Sequence, residues 1–454
     1  MSYKLSYYTT FTDPIDPDAE HKQVIAFSAR TGTALVLDTA TVDKIRNDRI
    51  HEVPEEILVR LFTEEIVVKE NEDELREILH EFKVGQTTSD FLGMVITPTA
   101  NCQLGCNYCG QSHTKLTLSQ DIADRTLSHI TSKLEKRTYK GLDITWYGAE
   151  PLMGYSSMAG LSADLIDLAE EKKIHYSASM ITNGLSLKPR IFHDLVEKYR
   201  CTNFQITIDG VKETHDNSRM TKKGIGTFDA ILKNVASAVR TDIYKKHNCL
   251  ITIRINVHKH NYHEVDSLIE LLAEMDLHKD IIVSLAPIHD WGNNNADESV
   301  GIDHDLFATL EIDWLMKMHA LGYRKSGYLP QRMYGTCMTT DKDAELIDAN
   351  GDVSYCWEVP YTDGLEDSDA SLVLGNITKP GVYRSEDYQN APLRNWYDDI
   401  LEGKNNSENC RSCKLLPVCG GHCPVSWYKG KRACPTFKFN LEDKLFLQFL
   451  QNQG

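Results

Sequence analysis

The chain has 454 residues, enough for about three domains at ~150 residues each. Lys and Arg number 49 against 66 Asp and Glu, a net charge of −17 that argues against a protein whose main task is gripping a phosphate backbone. A 41% hydrophobic content excludes wholesale disorder, which leaves 12 cysteines as the anomaly.

The opening MSYKLSYYTTFTDP has no apolar run behind a basic start, so no secretory signal is expected. No uncharged apolar run approaches the ~18 residues of a membrane helix. A cytoplasmic protein is therefore expected, with reduced thiols whose spacing points to metal or catalysis. Residues 1–88 read as a small unit. Strands are predicted at Lys22–Ser28, Ala34–Leu37 and Ile66–Lys69, and helices at Thr41–Asn47, Pro54–Thr63 and Asp73–Phe82. Residues 89–300 alternate. Strands are predicted at Gly93–Thr97, Asp143–Trp146, His175–Ile181, Asn203–Ile208, Leu250–Val257 and Ile281–Leu285, with helices in the gaps. Such alternation predicts a parallel sheet with right-handed crossovers, as an open sheet or a partial barrel. Residues 301–454 begin with a helix over His304–Leu321 and then turn loop-rich, with little apolar periodicity. A region so poor in core needs a staple, and metal is the staple of a reducing compartment.

Cys102-x3-Cys106-x2-Cys109 follows the first strand of the alternating segment. Parallel sheets and barrels both bind ligands beyond the carboxyl ends of their strands. Three thiolates on a four-iron cluster leave one iron open, whereas a zinc site would need a distant fourth ligand. With Tyr108 just before the third cysteine, the motif resembles the signature of radical S-adenosylmethionine (SAM) enzymes. Gly148-Ala149-Glu150-Pro151 resembles the family's Gly-Gly-Glu-Pro after the second strand, with Ala149 as a departure. Asn183, Asp209-Gly210, Arg219 and Arg254-Ile-Asn256 follow the order of the later strand motifs. The resemblance covers about residues 91–290. It implies a cluster whose open iron binds SAM, and a 5′-deoxyadenosyl radical that abstracts a substrate hydrogen. Tyr108, Gly148, Ala149, Glu150, Asn183 and Arg219 are then the expected SAM contacts. A guanidinium suits the SAM carboxylate, though Arg219 also has Asp209 and Asp216 as possible ion-pair partners.

The C-terminal cysteines run Cys337, Cys356, then Cys410-x2-Cys413-x5-Cys419-x3-Cys423 and Cys434. They resemble the SPASM extension of radical SAM enzymes, which holds two auxiliary [4Fe–4S] clusters. The resemblance assigns Cys410, Cys413, Cys419 and Cys434 to one, and Cys337, Cys356 and Cys423 to the other, which lacks a fourth cysteine. A zinc ribbon on Cys410, Cys413, Cys419 and Cys423 is the alternative. His113 and His422 are read as structural rather than ligating, and Cys201 and Cys249 as buried inert thiols.

The fold class expected is α/β: a partial (β/α)6 radical SAM barrel, a small winged-helix-like α+β unit before it, and a loop-rich iron–sulfur domain after it. Such leading units in peptide maturases bind a precursor's leader as an added strand. The expected activity is radical modification of a ribosomal precursor peptide or protein. Cofactors are SAM and three [4Fe–4S] clusters, with a flavodoxin- or ferredoxin-type electron donor and neither nucleic acid nor membrane as partner. Auxiliary clusters suit removal of an electron from a substrate radical, which favours an intramolecular crosslink (thioether, carbon–carbon or ether). Sulfatase-type formylglycine formation and epimerisation are alternatives, as is a non-enzymatic SAM-binding sensor. In the sulfatase group an Asp base follows the residue matching Cys356; here Trp357 and Glu358 follow. Asp209, Asp352 and Glu358 are the candidate proton acceptors. His289 and Trp291, in the loop after the sixth strand, are candidate substrate contacts.

Overall fold

A computed structural model describes residues 2–289, 295–324, 327–335, 337–363, 372–379, 391 and 393–453. The chain divides into two units, one of Met1–Thr88, Ser326–Asp341 and Leu393–Gly454, the other of Ser89–Lys325 and Lys342–Pro392.

In the first unit, Tyr3–Leu5 (β1) pairs antiparallel with Val67–Lys69 (β5). Thr9–Phe11 (β2), Gln23–Ser28 (β3) and Thr33–Asp38 (β4) form an antiparallel meander. β1 and β2 are too short and polar to announce themselves by periodicity. Leu35 and Leu37 face a core with Val24, Ala26, Ile45 and Leu61, while Val36 is exposed. Asp38 ends β4 and caps the helix Thr39–Arg46, accepting from Thr41 N at 2.7 Å. The helix Glu74–Gly85 packs against C-terminal residues: Phe82 stacks on Tyr397 at 4.8 Å, Lys83 pairs with Asp398, and the Gln86 amide donates to the Thr340 and Arg394 carbonyls at 2.8 and 3.0 Å. Residues 326–341 and 393–454 thus complete the amino-terminal unit, where the sequence reading placed them in one block with 301–325 and 342–392. The core they share is non-local, and periodicity reports only local order.

In the second unit, Phe91–Ile96 (β6), Gly141–Trp146 (β7), His175–Thr182 (β8), Cys201–Thr207 (β9), Leu250–Val257 (β10) and Ile281–Pro287 (β11) lie side by side in chain order, all parallel. Among the described residues the barrel does not close, because β11 has one neighbour there and β6 pairs instead with Glu345–Ile347 (β12). Asp352–Ser354 (β13) and Val373–Asn376 (β14) continue the sheet antiparallel. The helix His304–Ala320 buries Phe307, Trp314 and Met318 in the barrel's outer core. Burial alternates along the parallel strands. Ile251, Ile253, Ile255 and Val257 of β10 are buried on the helix side, and Arg254 and Asn256 point the other way into a half-buried interior. The inner face is polar: Ser177 donates to Asp143 at 2.8 Å, and Thr145 lies 3.0 Å from Ser179. A sheet packed on one face and polar on the other has a cavity to line.

Glu345 anchors β12. Its side chain has no exposed surface, Lys133 Nζ donates to it at 2.7 Å, and His129 Nε2 lies 2.6 Å from its other oxygen. Burial opposes its charge, but Lys133 and His129 hold the carboxyl down to about 2. A folded pKa below the unfolded value of ~4.3 stabilises the fold above that value, and the contribution is lost as pH falls through the folded pKa. Glu345→Gln is expected to cost about 3 kcal/mol at neutral pH. In urea titrations, the gap between variant and wild type should narrow between about pH 4 and 2.

Candidate functional site

The carboxyl ends of β6 to β9 converge on the cysteine loop. Cys102 is buried, and Asn183 Nδ2, at the end of β8, lies 3.7 Å from its sulfur. The loop is fastened by backbone bonds from Gly105 N to Met220 O (2.9 Å) and Lys222 N to Gln103 O (2.9 Å). Cys102, Cys106 and Cys109 are electrostatic neighbours, and burial pushes the Cys102 thiol up to about 12. His113 Nε2 lies 3.8 Å from Cys109 Sγ.

Glu150, at the end of β7, is fully buried. It accepts from Thr182 Oγ1 (2.7 Å), Asn183 N (2.7 Å) and Leu152 N (3.0 Å), tying the ends of β7 and β8 together. Burial nevertheless holds its carboxyl above the usual carboxylate range. Gly148 has φ +113°, and a Cβ there would lie 2.7 Å from Thr97 Cβ. Ala149 has no positive φ, so its methyl replaces a glycine hydrogen without backbone strain. Gly148→Ala should therefore destabilise the protein by about 1–3 kcal/mol. Ala149→Gly should leave stability nearly unchanged; thermal melts read the pair.

Asp209, at the end of β9, is wholly buried and fully engaged. Tyr108 Oη donates to it, Asn256 N donates at 3.0 Å, and Arg219 Nη1 lies 3.6 Å away. Arg219 Nη1 also donates to Tyr108 Oη at 2.5 Å, and Asn256 Nδ2 reaches the same oxygen at 3.2 Å. Of the two carboxylates weighed for Arg219, Asp209 is the partner. Asp216 instead accepts from Thr227 N and Phe228 N at 2.6 and 2.8 Å, capping the helix Phe228–Val239. Behind them His215 Nδ1 accepts from Asp209 N at 3.3 Å, leaving Nε2–H for Thr227 Oγ1 at 3.1 Å; that hydroxyl donates to Arg219 O at 2.9 Å. Burial holds His215 down to about 4, so it works as a neutral imidazole.

A cavity of about 490 Å³ opens between the cysteine loop and the inner strand face. Tyr108 and Cys109 line it with Tyr147, Arg254, Trp357 and Glu358. Tyr147 meets Trp357 edge-on at 5.2 Å, and its hydroxyl is pushed up by burial and then by Glu358. Glu358 and His289 therefore face the cavity. Asp209 is committed to its network, and Asp352 accepts from Asn376 on β14 at 2.7 Å and does not line the cavity. Trp291 lies outside the described residues. The sequence reading gave no role to Tyr147, Gln205, His215 or Trp357. Gln205 and Thr207, like Arg254 and Asn256, are alternate residues of strands, and inward-facing polar positions at that period were the available signal.

In the first unit, Cys410, Cys413, Cys419 and Cys434 line a second cavity of about 770 Å³. Lys438 Nζ donates to Cys434 Sγ at 3.5 Å. Cys337 and Cys423 belong to this unit, and Cys356 to the other. His422 is exposed, with φ +56° in a turn after Gly420 and Gly421. Cys201 and Cys249 are buried in the barrel core.

The donor sets suit an iron–sulfur protein that binds SAM. Three neighbouring thiols stand on one loop, and near them Gln103 Oε1 and Arg219 Nε are buried without a hydrogen-bond partner, as a polar ligand would require. In the first unit the four thiols line one cavity together. Among the described residues, no three His, Cys, Asp or Glu side chains stand at single-ion spacing.

Residues 96–272 match the sequence profile of the Radical SAM superfamily. The chain is 21% identical over 384 residues to a cysteine-type anaerobic sulfatase-maturating enzyme of Clostridium novyi, spanning 79% of this chain and 92% of that one. It is also 21% identical over 388 residues to the radical SAM cyclopropyl synthase TigE of Paramaledivibacter caminithermalis, 78% of this chain and 74% of that one. Among solved structures, native anSMEcpe with bound AdoMet matches with a TM-score of 0.55 at 18% identity, over 80% of this chain and 97% of that one. Residues 96–272 thus carry a radical SAM domain, and the chain shares the fold of that AdoMet-bound structure. It is an enzyme, so the non-enzymatic sensor reading falls, and SAM and an iron–sulfur cluster are its cofactors. No helix among the described residues is long and apolar enough to cross a membrane.

Proposed function

We propose that the protein is a radical SAM maturase that installs an intramolecular crosslink in a ribosomally made peptide. The observation that carries the reading is the cavity beside Cys109, walled by Trp357 and Tyr147 and bearing Glu358. Relatives that mature a sulfatase or build a cyclopropyl group support a peptide or protein substrate.

Cys102, Cys106 and Cys109 would hold the cluster, and Glu150, Asn183 and Arg219 would border SAM. SAM on a reduced cluster supplies a hydrogen-abstracting radical. Around it, Asp209, Tyr108 and Asn256 fix the Arg219 guanidinium, and the aromatic walls exclude water and position the substrate side chain. A crosslink removes two hydrogens, one as an atom and the other as a proton plus an electron. Glu358 takes the proton. Clusters on Cys410, Cys413, Cys419 and Cys434 and on Cys337, Cys356 and Cys423 would accept the electron, for a total of three. The three-stranded meander supports leader binding in the first unit, because among the described residues β4 pairs only with β3, and its other edge can take an extended peptide.

The test is anaerobic incubation with SAM, dithionite and a candidate precursor encoded beside this gene. Formation of 5′-deoxyadenosine together with loss of two hydrogens from the peptide supports the reading. Unchanged peptide mass with deuterium uptake from solvent would indicate epimerisation instead. The length shared with the sulfatase-maturating relative favours formylglycine formation as a second reading. Aldehyde formation in a sulfatase peptide would establish it.

A further inference from the structure

The segment after the third cysteine is pinned on both sides of His113. Ser112 N donates to Tyr361 O at 2.6 Å, and Thr114 N donates to Ala100 O at 3.0 Å. Tyr361 is itself fixed, its hydroxyl 2.7 Å from Thr97 Oγ1 and accepting from Ala349 N at 3.0 Å. Held between these anchors, the half-buried His113 ring brings Nε2 to 3.8 Å from Cys109 Sγ. Cys102 has donors of its own, Leu104 N at 3.4 Å and Asn183 Nδ2 at 3.7 Å. A cluster-ligating thiolate carries no proton, so the hydrogen between Nε2 and Sγ belongs to the ring.

We propose that His113 donates an N–H···S hydrogen bond to Cys109 and thereby raises the reduction potential of the cluster on Cys102, Cys106 and Cys109. The inference rests on the iron–sulfur reading of those three cysteines and not on the crosslink. One electron entering from a reductant adds one negative charge, which the ligating sulfurs share. A donor aimed at a sulfur is worth more once that charge has arrived, so it favours the reduced state. The reductant is oxidised by one electron and the cluster is reduced by one, with no proton transferred and no bond broken. His113 is therefore a positioning residue that acts through Cys109 and eases the electron uptake that SAM cleavage requires.

The test is a dithionite redox titration of the anaerobic, cluster-loaded enzyme followed by electron paramagnetic resonance. The signal read is the one that changes on adding SAM and is missing from Cys106→Ala. His113→Phe keeps a ring and loses the donor. Its reduced-to-oxidised ratio at a fixed poise should fall ~10-fold, about 59 mV for one electron. His113→Gln offers an amide N–H at a similar reach and should recover most of the wild-type potential. His113→Ala should match His113→Phe, and it carries the comparison if His113→Phe does not hold its cluster. Equal potentials in wild type, His113→Phe and His113→Ala overturn the proposal. So does an equal shift in His113→Gln, because lost packing rather than a lost donor would then be the cause. A wild type with no SAM-responsive signal would overturn the cluster reading and this inference with it. Unshifted potentials on a SAM-responsive cluster would count against His113 alone.

Discussion

A Glu358→Gln enzyme is expected to keep cleaving SAM while its peptide product falls by about 10²–10⁴-fold, the usual span of a lost general base. Glu358 lines the cavity beside Tyr147 and Cys109, whereas the groups that tie Arg219 and Glu150 into the barrel are elsewhere. Gln keeps the shape and the hydrogen-bonding capacity but cannot hold a proton, so hydrogen abstraction should survive and the later proton loss should stall. The measurement is the ratio of 5′-deoxyadenosine to modified peptide by quantitative mass spectrometry. A ratio near that of wild type would remove Glu358 from the proton path. Glu358→Asp should recover part of the product, which a purely structural role would not predict.

Replacing Asp209 by Ala should have the largest effect on the site's integrity. Arg219 is buried, and Asp209 is the carboxylate that faces it, through Nη1 and through the shared Tyr108 hydroxyl. Removing one member of a buried charged pair strands the other and costs about 3–5 kcal/mol. Urea denaturation should show that loss, and SAM affinity should fall with it as Arg219 and Tyr108 lose their fixed positions. Asp209→Asn keeps one acceptor and should lose less stability while still weakening SAM binding. If Asp209→Ala unfolded at the wild-type urea midpoint, the network would have no energetic weight.

The six parallel strands were legible because apolar residues recur along them between polar turns, in several at every second position, and β6 to β11 lie side by side in the order they are made. The cysteine loop, Glu150 and Asn183 were legible because motif residues sit at strand ends, where a parallel sheet puts its ligands. The partner of Arg219 was not, since Asp209 and Asp216 are both near it in sequence and only the fold shows that Asp216 is spent on a helix cap. Glu345 was also invisible. Its partners Lys133 and His129 lie on a helix more than two hundred residues away in the chain. The same distance hid the second unit boundary, because the contacts of Phe82, Lys83 and Gln86 with Tyr397, Asp398 and Arg394 leave no local pattern.

That unit, built from both ends of the chain, sets a timetable for synthesis. Thr88 leaves the ribosome before Leu393 has been made, and the residues between them number 393 − 88 − 1 = 304. At ~5–20 residues per second the amino-terminal sheet waits roughly 15–60 s for the segment that covers Phe82. The barrel is complete sooner, so its cysteine loop can be loaded while the other four-cysteine cavity does not yet exist. On the proposed cluster assignment, insertion into nascent chains should therefore occur in two waves, and ribosomes stalled before residue 393 should carry iron in the barrel alone.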